Sequence, residues 1–236
     1  MIKSVFAMLR VLMFGVLMLP MVSCEEDVID DKDKTEQETG KNEDFFVNAI
    51  DLGLSVKWAE HNVGATKPEE YGDYYAWGEV EVKNAYRTVN YKYVKDIDGD
   101  GDYWDDDNNW VNIGSNISGT EYDAAHVKWG GWRIPTLTEI QELLNKCSWM
   151  KTSVNGVNGY KVTGPNGNSI FLPAAGSIES DDDDGRGSCG YYWSSTLSED
   201  TNRDACNLCF SFYSEDFHWD DDNRYMGLSI RPVKDK

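Results

Sequence analysis

The chain is poor in positive charge. Across 236 residues, 22 Lys and Arg stand against 42 Asp and Glu, a formal net charge of −20. A surface this acidic repels a phosphate backbone, which excludes nucleic acid as a partner. No apolar run reaches the roughly 20 residues that a membrane-spanning helix needs. No repeat of 20–50 residues recurs, which excludes solenoids and propellers. His61, His126 and His218 form no H-x-H or H-E-x-x-H pattern, and Cys206 and Cys209 have no second C-x-x-C to complete a zinc site. A G-x-S-x-G elbow and a phosphate-cradling glycine loop are also missing. Aromatic side chains, by contrast, are plentiful: nine Trp, 13 Tyr and eight Phe. A disordered chain lacks such residues, and the roughly 190 residues after position 44 suffice for one domain with a substantial core.

The N-terminus reads as an address. Lys3 and Arg10 precede the apolar stretch from Val11 to Val22, which suits the h-region of a secretory signal. The stretch ends Met21-Val22-Ser23-Cys24, which resembles a bacterial lipobox and implies cleavage before Cys24 and acylation (palmitate) of its thiol. Residues 1–23 are thus expected to be a lipoprotein signal peptide, and their removal leaves 20 basic against 42 acidic residues, a net −22. Residues 24–44 are read as an acidic tether: no large apolar residue stands between Ile29 and Phe45, so the segment cannot offset its own ordering entropy. Acids directly after a lipidated Cys resemble the surface-export signal of Bacteroidetes lipoproteins. The expected location is the outer membrane with the domain surface-exposed; the alternative is the periplasmic leaflet.

Residues 45–236 are expected to form an α+β domain of short antiparallel strands with one or two helices. Strand patterns occur at 49–52, 56–63, 74–77, 160–163, 169–172, 191–195, 205–212 and 228–232. Gly164-Pro165-Asn166-Gly167-Asn168 between two of them is a hairpin signal. Thr136 and Glu139 have capping-box spacing, and Ile140, Leu143, Leu144 and Cys147 then make one apolar helical stripe. A shorter helix is expected over 121–127, capped near Ser118 or Thr120.

Seven blocks follow in order: Asp51–Ala59 with Asn62–Ala65, Tyr71–Glu79, Trp129–Thr136, Asn158–Tyr160, Phe171–Gly176, Gly190–Ser195 and Gly227–Val233. Together they resemble the Fibrobacter succinogenes major paralogous domain family of Bacteroidetes surface lipoproteins and the related C-terminal domain of Legionella collagen-like proteins. The resemblance implies a C-type-lectin-like fold akin to formylglycine-generating enzymes. Trp58, Trp77, Trp132 and Trp193 lie in Gly-flanked blocks and are read as core. Arg133 and Arg231 are read as structural donors, with Asp73 and Glu79 as candidate partners.

The sharpest chemical feature is the acidic stretch from Asp96 to Asp107, within an insertion near 94–112. Asp96, Asp98, Asp100, Asp102 and Asp107 occupy positions 1, 3, 5, 7 and 12 of a calcium-loop spacing, with Gly101 at position 6. Seven acids in this stretch repel one another unless a cation neutralises them. Position 12 is Asp where Glu is usual, and neither flank is an amphipathic helix. Calcium is the expected cofactor; the competing reading is a solvated acidic loop. Two further runs, 179–184 and 215–222, lack ligand spacing and read as solvated loops. Trp104, Trp110, Tyr213 and Trp219 lie near these acids, and aromatics beside carboxylates suit sugars.

Formylglycine-generating enzymes use paired cysteines. Here Cys147, Cys189, Cys206 and Cys209 do not reproduce that spacing, and residues three apart on a strand face opposite ways. An exported domain makes disulfides an alternative, with Cys189 paired to Cys206 or Cys209 preferred. The expected function is a non-catalytic, cell-surface binding or adhesion module for glycan or protein ligands, anchored to the membrane by lipid. A structural or assembly subunit of the cell surface is the alternative, and a formylglycine-generating-type oxidase a remote one.

Overall fold

The computed structural model describes residues 47–236, apart from 97, 98, 100 and 104–106. The signal-peptide, Cys24 and tether assignments, together with Asp98, Asp100 and Trp104, lie outside the described residues. Strands dominate, in small antiparallel sheets with two helices. One sheet joins β1 (Ala49–Asp51), β2 (Lys57–Ala59) and the C-terminal β11 (Val233–Lys234). A second is the meander β3 (Ser148–Val154), β4 (Val157–Thr163) and β5 (Ser169–Pro173). A short hairpin, β6 (Ser177–Glu179) with β7 (Asp182–Asp184), precedes the third meander. That meander is β8 (Cys189–Leu197), β9 (Asp204–Ser211) and β10 (Phe217–Asn223), with β10 at its edge. No helix among the described residues is long and apolar enough to cross a membrane.

Local signals account for the helices. In α2 (Leu137–Lys146), Thr136 and Glu139 satisfy each other's backbone N–H groups, and Ile140 and Leu143 are buried. Helix α1 (Ala124–Trp129) starts later than expected because Asp123 is its cap, accepting from the His126 amide. Asp123 also accepts from Gly119 and Ile134, so one buried carboxylate closes three backbone donors.

Three apolar clusters fill the domain. The first packs α2 and Trp58 against β4, β5, β8 and β9. The second surrounds Trp77 and Trp193, whose indole N–H groups donate to the Ser194 and Tyr75 carbonyls at 2.9 and 2.7 Å. The third is rich in tyrosine and includes Trp110. Trp58, Trp77, Trp132 and Trp193 are all buried. Gly190 is required where it stands, since a Cβ there would meet the Phe210 ring at 2.2 Å.

The structure corrects several expectations. Residues 74–77 and 228–232 are not strands: Tyr75 and Leu228 meet only in an isolated bridge. The acidic run at 215–222 is largely strand β10, and that at 179–184 largely the β6–β7 hairpin. Asp73 and Glu79 do not partner the arginines; Glu79 pairs with Lys83. Arg133 instead forks onto Glu139 at 2.9 and 2.6 Å, and buried Arg231 donates to Asn62 at 2.8 Å and to main-chain carbonyls.

Candidate functional site

A groove of about 320 Å³ opens where α2, the β8–β9 turn and β10 meet. Side chains alternate along β10. Trp219 lies on the same face as Asp221, and both line this groove. Trp219 is 46% exposed, an unusual state for the largest apolar side chain. Around it stand Gln141 from α2 and Thr196, Ser198, Glu199 and Asp200 from the end of β8. Among the described residues, no Lys or Arg lines it. On the same β10 face, Phe217 stacks on Trp149 with centroids 5.1 Å apart and planes 9° from parallel.

The acidic rim is held in place. Ser198 Oγ donates to Asp221 at 2.7 Å and accepts from the Asp200 amide. Thr196 Oγ1 accepts from the Leu137 amide at 3.0 Å, which ties β8 to the start of α2. Two groups brace the 198–203 turn from below. Asp107 accepts from the Thr201 hydroxyl and the Asn202 amide. Buried Arg224 donates to the Asn202 carbonyl at 2.7 Å, while its guanidinium lies 4.9 Å from the Trp77 ring.

The acidic insertion springs from a two-stranded stem. Val94 bridges Trp110, and Lys95 N–H donates to the Asn109 carbonyl at 2.8 Å. Asp96 accepts from the Gly99 and Gly101 amides at 2.7 and 3.0 Å, folding the start of the loop. At its end, the Asp107 oxygens turn toward residues 201 and 202. Buried Asn109 donates to the Asp102 carbonyl. The described residues hold no group of three His, Cys, Asp or Glu arranged for a metal.

Of the described aromatic candidates, only Trp219 lines the groove. Trp110 is 2% exposed and donates its indole N–H to the Tyr103 carbonyl. This corrects its expected role, because a packed ring offers no face to a ligand. Tyr213 is 70% exposed in the β9–β10 turn, where the Lys151 ammonium covers it and Phe212.

All four cysteines of the domain are free. Cys206 aligns with Asp221 on the groove side of β9, while Cys209 aligns with Tyr191 and His218 on the other. Cys189 aligns with Ser211. Cys189 and Cys209 are thus diagonal neighbours on one face of the sheet, but neither is bonded, so the preferred disulfide is not formed in the structure. Burial pushes the Cys147 and Cys206 thiols up to about 11 and Cys209 to about 12. His61 is buried edge-on against Trp129, and His218 is exposed beside Asp216. Sequence reasoning missed Gln141, Ser198, Glu199, Asp200 and Arg224; only the Glu-Asp pair directly after a strand carries a local signal.

No protein family, curated protein or solved structure matches the chain.

Proposed function

We propose that this chain is a non-catalytic recognition module whose ligand is carbohydrate, bound at the Trp219 groove. The carrying observation is an indole left 46% exposed inside a groove rimmed by three carboxylates, an amide and hydroxyls. A sugar ring stacks its C–H face on indole, and its hydroxyls donate to carboxylates. The three carboxylates of the lining disfavour anionic glycans. Thiols raised well above neutrality stay protonated, which argues against thiolate catalysis.

The resemblance to the Fibrobacter succinogenes major paralogous domain family, and with it the C-type-lectin-like fold, supports the same reading. So does the lipobox at Cys24, which suits an adhesion module anchored on the outer membrane and facing outward. Calcium at the 96–107 loop belongs to the proposal as a stabiliser of the insertion rather than as a bridge to sugar. The carboxylates of Asp96 and Asp107 already accept hydrogen bonds from the chain, but carboxylate oxygens keep further lone pairs for a cation. The test is a glycan array probed with the lipid-free chain 25–236 and its Trp219→Ala variant. Binding lost in the variant supports the reading. Silence on every neutral and amine-bearing glycan overturns it.

A further inference from the structure

A second groove, of about 360 Å³, lies away from Trp219, between the β3–β5 sheet and the segment around Pro68. Its walls are mainly apolar: Ile50, Val154, Ile170, Phe171 and Pro68. Two of its carboxylates are already engaged, Glu60 by the Asn48 amide at 2.6 Å and Glu69 by the Asn155 amide at 2.7 Å. Lys161 also lines it and has no ion pair among the described residues.

Strand β1 runs into this groove. Its ladder extends backward past Ala49, because the Glu60 amide donates to the Asn48 carbonyl at 3.1 Å. Side chains alternate along such a strand, so Ile50 and Asn48 share a side, and both meet groove residues. The next residue on that side is Phe46. Phe45 and Phe46 end the otherwise polar stretch that follows Ile29, and Glu43 and Asp44 stand just before them.

We propose that this groove is a docking site for the chain's own segment 43–46. Phe46 seats its ring among Ile50, Val154 and Phe171, and the carboxylates of Glu43 and Asp44 meet Lys161. Phe45, by the same alternation, points the other way.

The test uses the lipid-free chain 25–236, which contains the whole compact unit Glu43–Lys236. Methyl-detected NMR should give nuclear Overhauser contacts from the Phe46 ring to the Ile50 and Val154 methyls. Phe46→Ser should shift those methyls and lower Tm by several degrees, whereas Phe45→Ser should leave both nearly unchanged. The proposal is overturned if the ring contacts are missing from the wild type, or if Phe45→Ser has the larger effect. Methyl shifts that depend on protein concentration would overturn it in favour of a second copy as occupant.

Discussion

Asp107 holds Thr201 and its neighbour from across the molecule: Oδ1 accepts the Thr201 hydroxyl at 2.6 Å and Oδ2 the Asn202 amide at 3.0 Å. The last acid of the insertion is thereby mechanically joined to the turn that carries Glu199 and Asp200. Asp107→Ala should cost about 1 kcal/mol of stability, the usual worth of exposed hydrogen bonds. It should also weaken glycan binding more than its distance from Trp219 suggests. Calorimetric titration of the variant checks this; unchanged affinity would uncouple the insertion from the groove.

Trp219→Ala should leave Tm almost unchanged, because the ring is half in solvent. Affinity should fall roughly tenfold, the equivalent of about 1.5 kcal/mol of lost stacking. Asp221→Asn keeps an acceptor for Ser198 and should lose less.

Calcium should raise the melting temperature of the 25–236 chain at millimolar concentration, by relieving repulsion among the acids of residues 96–107. Asp98→Ala combined with Asp100→Ala should abolish the rise. Differential scanning calorimetry with calcium and with chelator decides between a metal loop and a merely solvated one.

The pH dependence centres on Asp222. Burial, with Asp220 second, pushes its carboxyl up to about 6, even though the Asn207 amide donates to it at 3.0 Å. A raised carboxyl means that the native state holds its proton more tightly than the unfolded chain does. This group's contribution is therefore most favourable below about pH 4 and declines as pH rises to about 6. Asp222→Asn should stabilise the protein at pH 8 by about 1 to 2 kcal/mol, allowing for partial solvation. The gain should vanish near pH 4. Urea melts of both proteins at the two pH values measure it.

Arg224 is fully buried, with carbonyls, the Tyr91 hydroxyl and two aromatic rings around it and no carboxylate partner among the described residues. Arg224→Lys keeps the charge but loses the planar fork, and should cost about 2 to 3 kcal/mol. Chemical denaturation gives the value, and a neutral result would mean that the fork carries little.

Helix α2 and the Pro165-Asn166-Gly167 hairpin were legible because their signals are local: a capping pair, a stripe, and a Gly at φ +87°. Strand β10 was not. Its Asp-rich sequence opposes strand formation, and only pairing with β9 over seven residues imposes it. Residues 74–77 mislead in the other direction. Their pattern is that of a strand, yet Tyr75 and Trp77 donate to Leu228 and Arg224 without forming a regular ladder. The groove itself was invisible because Gln141 and Trp219 meet only through the packing of α2 on β10. Trp110 shows the converse, an aromatic beside acids that tertiary packing takes out of contact with solvent.

Strand β10 also bears on how such molecules live beside one another. It is the outermost strand of its sheet, and it presents Asp220, Asp221 and Asp222 in succession. An open strand edge invites a neighbour's backbone to add on, and copies crowded together meet edge to edge often. Three successive carboxylates make that approach repulsive from either side of the sheet. The same residues that darken any prediction of strand from sequence oppose edge-to-edge pairing of the finished strand.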